Sequence, residues 1–368
     1  MTAPRRARSH LLDALRGLAA VAVCVGHLRA ATFVDMAALS APSVVDKLLY
    51  AISGLGHQAV MVFFVMSGYL VGGSVLQARD RFRWSDYGMA RLSRLWTVLV
   101  PCLLITWGID QIVWQCAPDF LAGAGAVWSH SGPVAGQYDA SVPTLVGNLL
   151  FLQTIVVPVF GSNGPLWSLA NEFWYYLLFP LLVVHRWRGG LAMCLIVACL
   201  PVDMRYGYLI WLMGAAAVAL PASRTAGRFM WLSVGGVLVA TAISKWSGTQ
   251  PWSIPWGDLG LGLAVAILLW CAVVPASGLR APRWVTIGIE RLSDMSFSLY
   301  LSHFPFVMLI GALVYRDGRV QPTSLAWTAL IMWLCLLLVI AYLVWCLFER
   351  HTPLVLKAMR RFVGRTAP

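Results

Sequence analysis

Charge is what this sequence has least of. Only 11% of its 368 residues are Asp, Glu, Lys or Arg, while 60% are hydrophobic. A soluble domain carries about a quarter charged residues, so a deficit over the whole length means surface turned toward lipid. Linkers, low-complexity tracts and internal repeats are missing as well, and residues 1–368 read as a single transmembrane domain with no appended soluble domain. A cleavable signal peptide is not visible. Arg5, Arg6 and Arg8 precede an apolar stretch, but that stretch holds Asp13 and Arg16 and no clear small-residue cleavage site, so it reads as a retained helix. The eight cysteines show neither metal-ligand spacing nor a secreted disulfide framework. They lie mostly inside apolar runs and read as buried small hydrophobes; no metal is expected. The net charge of +12 does not point to nucleic acid, because the basic residues punctuate hydrophobic runs instead of gathering on one polar surface.

What is present is a series of apolar runs. A spanning helix needs about 20 mostly apolar residues, and ten runs qualify or come close: 11–28, 56–76, 95–116, 166–184, 190–202, 206–220, 229–244, 257–275, 295–314 and 325–348. With a cytoplasmic N-terminus, ten crossings put most basic residues inside, among them Arg79, Arg81, Arg83, Arg186, Arg188, Arg280, Arg283, Arg360 and Arg361. Only Arg29, Lys47, Arg205, Lys245, Arg316 and Arg319 then fall outside. Making 144–159 an eleventh span would reverse every later loop, so that segment reads as interfacial or re-entrant. The expected fold is all-α: a polytopic bundle of about 10 transmembrane helices with both termini cytoplasmic. The expected location is a bacterial inner membrane. Trp107, Trp114, Trp246, Trp252 and Trp256 suit interface belts; a stacking platform for sugar is the other reading.

Ionisable residues inside spans are costly and mark function or a wet cavity. In LDALRGLAAVAVCVGH, Arg16 and His27 are eleven residues apart. That is about three helical turns, which puts both on one face roughly 16 Å apart along the axis. Asp13 stands one turn before Arg16 and can pair with it. Glu172 sits in SNGPLWSLANEFWYYLLFP, where Ser162 or Asn163 can cap the helix and Pro165 suits its first turn. Counted from the outer surface, Glu172 lies roughly 10 Å deep, near the depth inferred for His27, with Ser168 one turn earlier on the same face. Arg91 and Arg94, in RLSRLW, make either a phosphate clamp or an ordinary cytoplasmic anchor. His303 either bonds within the core or lines a cavity.

These residues resemble the acyltransferase-3 family of integral membrane acyltransferases. The likeness is carried in order by LDALRGLAAVAVCVGH, VFFVMSGYLVGG, RLSRLW, GPLWSLANEFWYYLLFP and SFSLYLSHFPF, along most of the chain. The resemblance implies acetyl-CoA as donor co-substrate and a hydroxylated acceptor: a carbohydrate such as an exopolysaccharide, lipopolysaccharide or glycolipid, or alternatively a small metabolite such as a macrolide. Polysaccharide-assembly partners would fit it. Arg16 and His27 take the places of the family's essential arginine and histidine, Arg91 and Arg94 match its arginine pair, and Glu172 matches the glutamate after WSL.

Joined to the spacing, the resemblance implies donor phosphates on Arg91, Arg94 and Arg16, with the pantetheine arm along the first helix. His27 would act as general base, oriented by Glu172 as a carboxylate orients a triad histidine. Ser168 or Tyr69 is the candidate oxyanion donor, and Trp167 and His303 are candidate substrate contacts. Direct transfer and an acyl-histidine both stay open. A secondary transporter is the rival from another class, and it is disfavoured by the absence of matching repeats.

Overall fold

A computed structural model describes residues 10–123, 136–221, 226–248, 255–272 and 282–366. Arg5, Arg6, Arg8, Arg280 and Trp252 lie outside the described residues. In chain order the helices are α1 (His10–Thr32), α2 (Val44–Ser53), α3 (Gly56–Ser67), α4 (Gly73–Ala78), α5 (Trp84–Cys116), α6 (Pro118–Leu121), α7 (Val142–Leu149), α8 (Leu166–Cys199), α9 (Val202–Ala219), α10 (Met230–Ser247), α11 (Trp256–Cys271), α12 (Arg283–Asp294), α13 (Ser296–Val314), α14 (Ser324–Leu347) and α15 (Thr352–Thr366). Among the described residues, extended pairing is limited to isolated bridges such as Phe33 with Val320. The fold is all-helical.

Seven helical stretches among the described residues are long and apolar enough to cross a membrane. Leu18, Leu104, Trp107, Leu232, Trp246, Leu325 and Leu343 stand exposed on their outer faces, a pattern that only a lipid environment accommodates. The protein is a multi-pass membrane protein. The expected spans 166–184 and 190–202 correspond to two helical limbs within α8, separated by a non-helical kink at Arg186 (φ 51°, ψ −126°). The chain doubles back there, so that a Cβ on Gly189 would stand 1.8 Å from the Leu181 carbonyl oxygen. The run at 257–275 forms a helix of only 16 residues.

The cysteines divide, contrary to the uniform burial expected of them. Cys24, Cys102 and Cys271 are buried, whereas Cys116, Cys194, Cys199 and Cys335 are exposed on the bundle. An apolar neighbourhood in sequence locates a residue within a span; it does not say whether that residue faces protein or lipid.

Segment 144–159 does not cross. Its helix, α7, is eight residues long, and the chain then turns through Phe151 and Thr154 with φ of 58° and 66°. Asn148 holds this turn closed, donating to Thr144 and Pro158 carbonyls and accepting from the Phe160 amide. The indoles of Trp96 and Trp174 donate to the Leu149 and Phe151 carbonyls. Each side chain satisfies backbone groups that no helix or sheet pairs here.

The core falls into two apolar clusters. One gathers side chains of α3, α5, α8, α9 and α11, including Phe64, Leu99, Leu169 and Trp211. The other joins α1, α13 and α14 through Leu28, Phe304, Met308 and Leu337. In the first cluster α3 and α9 touch backbone to backbone. A Cβ on Gly68 would come within 1.9 Å of the Trp211 carbonyl oxygen, and one on Gly214 within 1.9 Å of Val65 oxygen. The five residues after α3, Gly68–Gly72, form a π-helical turn against α9, a local underwinding that recurs at functional sites.

Candidate active site

Three long helices and one proline pattern bring the polar residues together. Helix α1 is unbroken from His10 to Thr32, so Arg16 and His27 keep the three-turn spacing expected of them. Helix α13 packs beside α1 and runs in the same direction. Its first turns, at Ser296, Phe297 and Tyr300, share a cavity with Arg16, and His303, further along, meets His27.

Proline positions each neighbour. Pro305 lacks an amide hydrogen and cannot bond the carbonyl four residues back. That carbonyl, of Leu301, accepts instead from Asn163 Nδ2 at 3.0 Å, and the same amide donates to Thr106 Oγ1 at 3.2 Å. Pro180 frees the Tyr176 carbonyl in the same way, and Tyr87 Oη donates to it at 3.0 Å. The entry to α8 is thus pinned between α5 and α13. Buried Asp110 on α5 adds two more bonds, from the Ser162 amide (2.9 Å) and hydroxyl (2.6 Å). Gly161 precedes them at φ 58°, and a Cβ there would stand 2.4 Å from Asp110 Oδ2, so only glycine fits the turn.

The cavity has a volume of about 250 Å³. Arg16 from α1, Arg91 and Arg94 from α5, and Ser168 and Glu172 from α8 all line it, with Ser67, Tyr176 and Tyr300. Five residues singled out in the sequence therefore share one space. Arg91 lies over the rings of Tyr87 and Tyr176, 5.6 and 5.8 Å from their centroids, and its buried Nε has no hydrogen-bond partner among the described residues. Arg94 lies over Phe297 at 5.5 Å and faces Glu349 Oε1 at 3.5 Å.

Glu172 belongs to this arginine level, not to the level of His27 as the depth count predicted. Its carboxylate accepts from Ser67 Oγ at 2.8 Å and from the Tyr176 hydroxyl. The count erred because α8 does not start at the membrane surface. Ser162 and Asn163 are buried, 2% and 0% exposed, and Asn163 is level with Leu301. Glu172 lies a further 9 Å or so along the axis from Leu166, toward the arginines. Asp13, expected beside Arg16, interacts with its charge there and also accepts from Ser293 of α12 at 2.8 Å.

His27 does not line the cavity. It is half-buried, with its ring 5.4 Å from that of His303 and 4.9 Å, edge-on, from Phe304. Between the two levels stands Tyr300, whose hydroxyl is 2.6 Å from Ser168 Oγ and whose ring centroid is 6.2 Å from that of His303. The arrangement is a column: guanidiniums at one end, a Tyr–Ser hydroxyl pair in the middle, two imidazoles at the other. Tyr69 and Trp167 stand outside it. Tyr69 packs on the core from the π-helical turn, and Ser67, two residues earlier, lines the cavity in its place. Trp167 meets Phe64 edge-on at 6.1 Å.

Sequence reading missed four members of the column: Ser67, Tyr176, Tyr300 and Glu349. Glu349 is 5% exposed and accepts from the Ser298 amide and hydroxyl at 3.1 and 2.6 Å. The signal available was an acidic residue directly after the last apolar run, which the count of basic residues passed over.

Comparison with known proteins bears on the family. A family model described as an acyltransferase domain, of the acyltransferase-3 type, matches residues 10–350. Among curated proteins, "Acyltransferase MdmB" of Streptomyces mycarofaciens is 33% identical over 48% of this chain and 40% of its own length. "O-acetyl transferase" of Shigella phage Sf6 is 27% identical over 50% of this chain and 48% of its own. The chain thus aligns with less than half the length of either relative. No solved structure matches.

Proposed function

The chain belongs to the acyltransferase family of that domain model, and from that membership we propose that it is a membrane O-acyltransferase. In this reading it moves an acetyl or other short acyl group from cytoplasmic acetyl-CoA to a hydroxyl of a carbohydrate. The observation that carries the reading is the column: three guanidiniums around one cavity, connected by Tyr300 and Ser168 to an imidazole pair. Three guanidiniums, Arg16, Arg91 and Arg94, meet three carboxylates near that level, Asp13, Glu172 and Glu349. Arg91, whose buried Nε has no hydrogen-bond partner among the described residues, suits a phosphate of the donor. The basic-residue bias of the loops supports ten crossings with both termini in the cytoplasm, which puts the arginine end on the donor's side.

The thioester arm then runs along α1 and α13 toward His27. Phe63 and Tyr300 line the cavity and His27 does not; in this reading the arm reaches His27 by displacing the Tyr300 hydroxyl from Ser168. At His27 the acceptor hydroxyl loses its proton to the imidazole as its oxygen attacks the thioester carbon. The tetrahedral oxyanion takes hydrogen bonds from the hydroxyls of Tyr300 and Ser168. The carbon–sulfur bond breaks, and the proton held on His27 passes to the departing thiolate. No acyl-enzyme is required.

The test uses purified protein in lipid nanodiscs. Acceptor-dependent release of free CoA is expected from the wild type, and none from His27→Ala, with acetyl-CoA binding retained in both. A His27→Ala variant with normal turnover refutes the base assignment. Mass spectrometry of envelope glycans and secreted metabolites, from cells with and without the gene, identifies the acceptor by its acetyl increment. An increment on a small metabolite instead of a glycan would overturn the carbohydrate assignment while leaving the transfer chemistry in place.

A further inference from the structure

His303 is 1% exposed and does no work in the scheme above. Its Nδ1 is 2.9 Å from the Leu299 carbonyl and 2.8 Å from that of Tyr300. Two carbonyl oxygens cannot donate, so Nδ1 must carry the hydrogen. In a neutral ring that leaves the lone pair on Nε2, the atom farthest from the α13 backbone. Nε2 is buried and has no hydrogen-bond partner among the described residues. A buried acceptor left without a donor is costly and rare in native proteins. The group across the gap is the ring of His27, 5.4 Å away between centroids and tilted by 32°.

A histidine that acts as general base has a matching need. One ring nitrogen takes the substrate proton, and the other must donate its N–H to a fixed acceptor that sets tautomer and orientation. Glu172, expected in that role, is engaged by Ser67 and Tyr176 at the arginine level. We infer that His303 is the positioning residue of this site: its Nε2 accepts the His27 N–H in the reacting complex. This holds the other His27 nitrogen, lone pair free, toward the acceptor hydroxyl. A small rotation of the His27 ring closes the bond, in keeping with catalytic hydrogen bonds that tighten only when substrate is bound. A neutral orienting imidazole also spares the bilayer interior a buried carboxylate.

The inference rests on the acyl-transfer reading, and two substitutions separate it from a merely structural role. His303→Gln keeps an acceptor oxygen where Nε2 stands and loses the donor at Nδ1. His303→Asn keeps an amide at the Nδ1 position and loses the distal acceptor. The expected result is near wild-type kcat in His303→Gln. In His303→Asn, kcat should fall on the order of 10²-fold with an unchanged KM for acetyl-CoA. The reverse order, Asn active and Gln impaired, would mean that His303 only braces its helix, and equal activity in both would also overturn the inference.

One arm needs no turnover. Solid-state NMR of 15N-histidine-labelled protein in bilayers, assigned by difference from His303→Asn, should find His303 protonated at Nδ1 and bare at Nε2. A ring protonated at Nε2 sinks the inference whatever the activity. Absence of acyl transfer by the wild type, with the expected tautomer present, would instead count against the proposed function alone.

Discussion

Arg91 and Arg94 stand one turn apart on α5 in nearly identical sequence surroundings, yet their partners differ. Arg94 already faces the Glu349 carboxylate, while Arg91 rests on two tyrosine rings with its Nε unsatisfied. A charge without a carboxylate partner among the described residues has more to gain from a phosphate. Arg91→Ala is therefore expected to weaken acetyl-CoA binding by about 1.5–3 kcal/mol, and Arg94→Ala by less; titration calorimetry with CoA checks the order. Glu349→Gln keeps an acceptor for Ser298 but removes the negative charge beside Arg94. CoA should bind this variant more tightly than wild type, and weaker binding would mean that Glu349 positions Arg94 instead of competing for it. The arginine pair was legible in the sequence through its spacing. The inequality within the pair was not, because Glu349 lies more than 250 residues away along the chain, and only the packing of α14 against α13, and of the turn Glu349–His351 and α15 against α5, brings it there.

At the scale of elements, three-dimensional order depends on prolines within helices. Pro305 and Pro180 each free one carbonyl, and each freed carbonyl is taken by a side chain from another element, Asn163 and Tyr87. These bonds set the depth at which α8 begins, and hence the level of Ser168 and Glu172. Asn163→Ala removes donors from both Leu301 oxygen and Thr106 and should lower stability by about 1–3 kcal/mol. Gly161→Ala forces a Cβ against Asp110 in a left-handed turn and should destabilise by at least about 1 kcal/mol. Thermal unfolding in detergent reads both, and a wild-type midpoint in Gly161→Ala would contradict the turn geometry. The helix itself and its Ser168–Glu172 face were readable from local pattern; its cap was not, because Pro165 takes the N-cap position with no side-chain bond while Ser162 and Asn163 bond Asp110, Thr106 and Leu301 on other helices. Its depth was not: depth is a relation to other helices, and the sequence count took the surface as its origin.

For the whole molecule the open quantity is orientation. The proposed topology puts Lys47 outside and Arg188 inside. In a background freed of exposed native cysteines, Lys47→Cys should react with a membrane-impermeant thiol reagent on intact cells, and Arg188→Cys only after lysis. Labelling of Arg188→Cys from outside would reverse the donor side.

Membrane residence, helical class and the shared face of Arg16 and His27 followed from the chain alone, because they depend on composition and on the fixed geometry of one helix. Which polar groups meet across helices was decided only by the packed bundle. Glu172 joins the arginines and His303 joins His27 because the proline-freed carbonyls and the buried Ser162–Asn163 turn set how far α8 and α13 slide past their neighbours. No periodicity within a single segment encodes that offset.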